Sequence, residues 1–189
     1  MKTDAELLRG NVETLARRLA DDPDAGHVRP VVVTRLVHNV RARSDFTQYG
    51  RDFTFECDES EGRAGTASAP SPLRYFLSGI AFCLQVWYAK GAALVDCPLE
   101  DLRIEVRTYM DMRGEHHVGS APPHPQWIVV EADVTSPAET GTVLAMVDEA
   151  NARCPVSTLV AKAIPIHERI RHGGIVVRDT IPDGLEEGR

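Results

Sequence analysis

Apolar side chains recur at helical spacing over residues 3–20, and this pattern predicts an amphipathic helix. The apolar positions of this helix are Leu7, Leu8, Val12, Leu15 and Leu19. The stretch DDPDAG at 21–26 contains Pro and Gly, so we expect the helix to end there. Residues 1–26 are therefore predicted to be a helical appendage, which packs on the main domain (27–189) or on a second subunit.

Two strands are predicted next along the chain. Residues 30–43 are rich in β-branched side chains and alternate in their second half, and residues 46–57 alternate with aromatic side chains. We expect a hairpin bend between them at Ser44–Asp45. The sequence DESEGRAGTASAPSP at 58–72 then has the Gly, Ser and Pro content that is typical of a loop.

The longest apolar stretch begins at Ser71 and Pro72 and predicts a helix that runs to about Ala93. Ser71 is expected to be the N-cap, with the proline in the first helical position. The helix is apolar nearly all round, which indicates burial on most sides. Because it contains Gln85 and Lys90, we interpret it as a buried helix and not as a membrane span.

The second half of the chain predicts strands at 101–113 and 127–135, followed by a helix from Ser136 and Pro137 to Cys154. Short strand-like runs, AIPIHERI and GIVVRD, follow in the tail. The strands come in adjacent pairs and do not alternate with helices. This order favours an α+β fold with antiparallel sheets.

Composition narrows the class of protein. The chain has 189 residues, 43% of them hydrophobic and 26% charged, which is typical of a globular protein. A formal net charge of −7 and the lack of a basic face argue against a nucleic-acid partner. The start, MKTDAELLRGN, lacks the basic and apolar regions of a signal peptide. We therefore expect a cytoplasmic protein with reduced thiols and no membrane partner.

The four cysteines, Cys57, Cys83, Cys97 and Cys154, contain no CxxC pair, so a zinc framework is not suggested. Cys83 lies in the middle of the long apolar helix, where a free thiol also serves as a small buried hydrophobe. Cys154 precedes Pro155 at a predicted corner between helix and loop, where its sulfur would be exposed and mobile. The two lie 71 residues apart, a spacing that alone does not show whether they meet.

The segment SPLRYFLSGIAFC (71–83) resembles the family pattern NPE-x-L-x-x-A-x-x-A-x-C, and RCPVS (153–157) resembles the second motif of the same family. This family contains the osmotically inducible protein C and organic hydroperoxide resistance proteins (OsmC/Ohr), and the resemblance covers roughly residues 30–170. It implies antiparallel sheets packed around two central helices, in an intertwined homodimer with sites at the subunit interface. It also implies a thiol peroxidase in which Cys83 is the peroxidatic residue and Cys154 the resolving one, with an external dithiol reductant and no cofactor.

A buried thiol has a raised pKa, so a nucleophilic Cys83 needs a nearby cation. The family supplies an arginine held by a carboxylate. By resemblance the candidates are Arg63 in the EGRAGT loop, as in the OsmC branch, and Arg43 on the first strand, as in the Ohr branch; Arg41 is a further candidate. Leu73 stands where the family has its glutamate. Acidic residues that can replace it by folding back are Asp45, Asp58, Glu59 and Glu61.

Other functions remain open at this stage. A non-catalytic relative would bind an apolar small molecule in a pocket between the two central helices. An interaction module would be built on the first helix. A metal site is a further possibility, at the group Glu115, His116, His117 and His124. Two observations argue against it, since neighbouring residues of a strand point to opposite faces and the sequence of this segment is typical of a long loop.

Overall fold

The computed structural model describes residues 4–162, 169–172 and 175–179. Its helices are α1 (Ala5–Asp21), α2 (Pro72–Leu94), α3 (Met112–Glu115), α4 (Thr140–Arg153) and α5 (Pro155–Lys162). Its strands are β1 (Thr34–His38), β2 (Arg41–Gln48), β3 (Arg51–Cys57), β4 (Asp101–Tyr109), β5 (Trp127–Thr135), β6 (Arg169–His172) and β7 (Ile175–Asp179).

Each strand pairs antiparallel with a strand that is next to it in the order of strands along the chain. The resulting sheets have the strand orders β1-β2-β3, β4-β5 and β6-β7. The longest pairing joins β4 to β5, from Asp101 opposite Thr135 to Tyr109 opposite Trp127. Helices and antiparallel sheets alternate in blocks along the chain. The α+β class predicted from paired strands is therefore confirmed.

The hairpin predicted at Ser44–Asp45 is wrong. These residues lie in the middle of β2, and the chain turns instead after Gln48, at Tyr49–Gly50, with a second turn at Asn39. Tyr49 and Gly50 have φ angles of 56° and 70°, the positive values that two-residue hairpin turns require. The glycine adopts this conformation without steric cost, whereas the Ser44–Asp45 pair contains no glycine.

The second half of the chain departs from the predicted boundaries in three places. β4 ends at Tyr109, four residues earlier than predicted, because Asp111 caps the short helix α3 by accepting the N–H of Arg113 at 3.0 Å. α4 begins at Thr140, after the predicted start at Ser136. A further helix, α5, occupies the segment after Cys154, where a loop was predicted. The predicted strand-like run at 163–170 falls mostly outside the described residues.

The long apolar helix is confirmed as α2, but its burial is one-sided. Its core face packs against α4 and the β4-β5 sheet. The most deeply buried side chains of this core are Ile80, Leu84, Met146, Ala150 and Cys154. On the opposite side Phe76, Phe82 and Val86 are 43%, 69% and 51% exposed, so burial on most sides is not seen in the single chain. Over the described part of the chain, no helix is long and apolar enough to cross a membrane.

A close crossing of α2 and α4 fixes the centre of this core. A Cβ atom on Gly91 would lie 2.9 Å from the carbonyl oxygen of Met146, a contact shorter than real Cβ atoms make. The absence of a side chain at Gly91 therefore allows the two helix backbones to approach. The same crossing brings the helix that carries Cys83 towards the end of α4, which Cys154 follows directly.

The first helix, α1, packs on the end of α2. Asp4 caps it by accepting the N–H of Leu7 at 2.9 Å. Arg9 donates from Nε to the carbonyl oxygen of Ala93 at 2.8 Å and forms an ion pair with Asp96, so its guanidinium neutralises the carbonyl end of α2.

Candidate thiol site

Two thiols lie together where α2 meets the junction of α4 and α5. Cys83 and Cys154 are both free, and they are close enough for each thiol to shift the other's titration. Cys154 is completely buried and Cys83 is partly exposed. The prediction of a corner between helix and loop with an accessible Cys154 sulfur is wrong, because α5 continues directly from Cys154 and packs on α2.

The two sulfurs sit in different electrostatic surroundings. Burial raises the pKa of Cys83, and the neighbouring Cys154 thiol raises it further. The backbone N–H of Val156 and the charge of Lys90 lower it, but by less. Burial also opposes ionisation of Cys154, but Ser157, whose backbone N–H donates to the Cys154 sulfur at 3.4 Å, and the neighbouring Cys83 thiol outweigh this effect and lower the pKa of Cys154. Within one subunit the pair therefore holds negative charge more readily on Cys154.

Lys90 is the nearby cation that the sequence analysis missed. Its Nζ lies 4.8 Å from the ring centroid of Trp87, and its charge favours the thiolate of Cys83. Cys83, Trp87 and Lys90 stand at positions i, i+4 and i+7, which share one side of a helix. That spacing was the signal in the sequence that could have found it.

Arg63 is held by two carboxylates in the loop before α2. Its guanidinium binds Glu115 through two hydrogen bonds, of 2.8 and 3.1 Å, and lies 3.2 Å from Glu59. Glu59 was among the predicted substitutes for the missing family glutamate, whereas Glu115 was not foreseen. Leu73 lines the same cavity of about 540 Å³ as this ion pair, so the carboxylates stand near the position where the family has its own.

Asp58 organises the loop that carries Arg63. The Asp58 side chain is buried and accepts four hydrogen bonds. Thr66 donates its N–H at 3.1 Å and its hydroxyl at 2.7 Å, and Ser68 donates its N–H at 3.1 Å and its hydroxyl at 2.8 Å. These bonds hold the pKa of Asp58 far below its usual range, with the Thr66 hydroxyl making the largest contribution. Gly65 closes the loop so tightly that a Cβ atom would lie 1.9 Å from the carbonyl oxygen of Glu59.

Arg43 lies on β2 and binds its own strand neighbour. Its guanidinium donates to Asp45 at 2.8 and 3.0 Å, and both side chains are about half exposed. Arg41 binds Glu56 at 2.7 Å. Across the described residues, no hydrogen bond joins Arg43, Arg41 or Arg63 to a thiol. The single chain thus brings the two predicted cysteines together but leaves the predicted arginines engaged with carboxylates.

An apolar groove of about 460 Å³ runs between α2 and the sheet of β2 and β3. Phe55, Tyr75 and Phe82 line it. Ser44 also lines it; the residue is only 6% exposed, and its hydroxyl is buried without a hydrogen-bond partner. The apolar pocket was expected between the two central helices, but α2 and α4 pack closely at Gly91, and the groove lies on another side of α2.

The other cysteines and the histidines make no such cluster. Cys97 is buried with its Sγ 3.5 Å from the hydroxyl of Ser136, and Cys57 lines the apolar groove at the end of β3. In the parts of the chain described, no group of three or more His, Cys, Asp or Glu side chains could hold a metal ion.

Solved structures with the same fold cover most of this chain. An OsmC-like hydroperoxide resistance protein from Jannaschia sp. CCS1 is 22% identical, with a TM-score of 0.51, and the match covers 77% of this chain and 97% of that one. An OsmC-like protein from Mycoplasma pneumoniae is 16% identical, with a TM-score of 0.57, and the match covers 71% and 88%. An organic hydroperoxide resistance protein OsmC from Legionella pneumophila is 16% identical, with a TM-score of 0.51, and the match covers 71% and 91%.

No curated protein matches the sequence. The family model described as OsmC-like protein matches residues 65–169, which is more than half of the chain and includes both thiols of the site. The order of elements and the fold of the solved structures agree with this match. The chain belongs to the OsmC-like protein family.

Proposed function

We propose that this protein is a thiol-dependent peroxidase that reduces organic hydroperoxides. The observation that carries the proposal is the position of Cys83, which packs against the core cluster that contains Cys154, close enough for each thiol to affect the pKa of the other. Membership of the OsmC-like family, and the hydroperoxide resistance proteins among the similar structures, support the same reaction class.

In the first step the Cys83 thiolate attacks the terminal oxygen of the hydroperoxide. The O–O bond breaks, the alkoxide takes up a proton and leaves as an alcohol, and Cys83 becomes a sulfenic acid. Partial exposure suits Cys83 to this role, because a peroxide can reach it, whereas Cys154 is completely buried.

In the second step the Cys154 thiolate attacks the sulfenic sulfur of Cys83. The S–S bond forms and the hydroxyl group leaves as water after it takes up a proton. An external dithiol supplies two electrons and two protons to restore both thiols, and a reducing compartment such as the cytoplasm would supply it.

The test exposes the reduced protein to cumene hydroperoxide and maps disulfides by mass spectrometry. We expect a Cys83–Cys154 bond and one alcohol released per disulfide formed. Cys83→Ser should abolish turnover with a dithiol, and Cys57→Ser and Cys97→Ser serve as matched controls that retain it. If Cys83 stays a thiol under excess hydroperoxide, the peroxidase proposal is wrong.

A second subunit would complete the site. Cys83 lies beside a stripe of exposed apolar side chains on α2, namely Phe76, Phe82 and Val86, which single soluble chains rarely leave uncovered. We propose the homodimer that the family resemblance implies, with Arg63 or Arg43 of one subunit approaching Cys83 of the other and favouring its thiolate.

Mixed dimers test this arrangement. Cys83→Ser and Arg63→Ala subunits are each expected to be inactive alone and to regain part of the activity when refolded together, since one of the two sites is then intact. The same mixture with Arg43→Ala identifies which arginine serves the thiol. A protein that sediments as a monomer, or mixtures that never regain activity, would contradict the shared site.

The alternative is a non-catalytic protein that binds an apolar small molecule. The apolar groove favours it, because the buried and unpaired hydroxyl of Ser44 offers one polar anchor among aromatic walls. A medium-chain alcohol used as a probe should then bind the wild-type protein and bind more weakly to Ser44→Ala. Binding without any disulfide formation under hydroperoxide would favour this alternative over the peroxidase.

A further inference from the structure

The two sulfurs of the site differ in access. Cys83 is partly exposed on α2, whereas Cys154 is completely buried under α5. Thiol–disulfide exchange requires a thiolate to approach one sulfur of the disulfide in line with the other. In a disulfide between these residues, the sulfur of Cys83 is therefore the one that an incoming reductant can reach.

The surroundings of Cys154 suit a departing thiolate. Cys154 directly precedes α5, and its carbonyl accepts the first helical hydrogen bond, from the N–H of Thr158 at 3.1 Å. Its Sγ accepts the N–H of Ser157 at 3.4 Å, while the Ser157 hydroxyl donates to the Cys154 carbonyl at 3.3 Å. Pro155 fills the first helical position without an N–H of its own, and the N–H of Ser157 is a free amide of this helix end that the sulfur accepts.

We propose that the protein directs its reductant to Cys83, with Cys154 as the leaving thiolate. This inference rests on the proposed function, because it describes how the disulfide of that cycle is reopened. It adds a direction to the reductive step.

One thiolate of the dithiol attacks Sγ of Cys83, the S–S bond breaks, and its electron pair goes to Sγ of Cys154. The second thiol of the reductant then attacks the reductant sulfur of the mixed disulfide and expels Cys83 as a thiolate. The two protons of the dithiol end on the two protein thiols, and the reductant leaves as a disulfide.

A disulfide made with diamide tests the direction without any peroxide. The oxidised protein is treated briefly with 2-mercaptoethanol, quenched in acid, alkylated under denaturing conditions and mapped by mass spectrometry. We expect the mercaptoethanol adduct on Cys83 and the alkyl group on Cys154, in roughly tenfold excess over the reverse. An adduct on Cys154, equal amounts on both, or failure of diamide to join the two cysteines would overturn the proposal.

The two proposals fail separately. If hydroperoxide never oxidises Cys83 but the diamide disulfide opens at Cys83, the peroxidase proposal is wrong and the direction of reduction stands. If hydroperoxide forms the disulfide but mercaptoethanol adds to Cys154, the peroxidase proposal stands and the direction is wrong.

Discussion

Gly91 offers a direct test of the helix crossing that positions the thiol site. It lies in α2 where this helix meets α4, and a Cβ atom there would be 2.9 Å from the carbonyl oxygen of Met146. The oxygen belongs to the backbone of a helix, so it cannot move without its helix. Gly91→Ala is therefore expected to push α2 and α4 apart, and with them Cys83 on α2 and Cys154 at the end of α4.

The magnitude follows from two opposing effects. An ordinary contact begins at 3.4 Å, so the helices must separate by about 0.5 Å. Overpacking of a closed core costs about 1–3 kcal/mol. Replacing glycine by alanine within a helix returns about 1 kcal/mol. The free energy of unfolding should therefore fall by up to about 2 kcal/mol.

Gly141→Ala provides the matched control. Gly141 is exposed in the first turn of α4, and a Cβ atom there would have no atom within 4 Å. The same substitution should stabilise the protein by about 0.4–1 kcal/mol, because it only restricts the unfolded chain. The two variants are thus expected to shift stability in opposite directions.

Urea denaturation of both variants gives the measurement. The midpoint should fall for Gly91→Ala and rise for Gly141→Ala, with an unchanged dependence on denaturant, which would show that only stability has changed. If Gly91→Ala is as stable as Gly141→Ala, α2 and α4 do not cross closely at Gly91.

Three further predictions concern the groups around the site. Glu115→Gln removes the carboxylate that binds Arg63 through two hydrogen bonds, so peroxidase kcat/KM should fall roughly three- to tenfold, as measured with cumene hydroperoxide. Lys90→Met should raise the pKa of Cys83 further, which a pH profile of iodoacetamide labelling of that residue would measure. Asp58→Asn should lower the Tm at pH 7, because an amide NH2 group would face N–H and O–H donors. The Asp58 carboxyl has a lowered pKa in the folded protein, so its stabilising effect is present at neutral pH and is lost as the pH falls below the ordinary carboxyl range.

Each of these predictions has a control and a contradicting result. Glu131→Gln breaks an exposed ion pair with Arg107 on the β4-β5 sheet and should leave kcat/KM unchanged; equal effects of the two glutamine variants would deny Arg63 a special role. Lys162→Met should not move the labelling profile that Lys90→Met shifts. For Asp58, the difference in Tm between wild type and variant should shrink in acid, and a constant difference down to pH 2 would contradict the lowered pKa.

Local patterns in the sequence were sufficient for elements whose signals lie within a few residues. Ser71 and Pro72 mark the start of α2, and the alternation at 127–135 marks β5, with the observed bounds. The hairpin failed because two turn signals compete in the same segment, and the positive φ of Gly50 decided between them. The helix after Cys154 was missed because a proline read as the end of one helix is also suited to begin the next.

The sequence by itself determined the family and the two cysteines of the candidate site. SPLRYFLSGIAFC and RCPVS are local motifs, so they can be recognised without any knowledge of packing. Only the tertiary structure decided that these thiols meet, that Cys154 is buried, and that Glu115 binds Arg63 from 52 residues away. Such contacts depend on how helices and sheets pack. Packing follows the shape of the whole core, as at Gly91, and no pattern within a short segment encodes it.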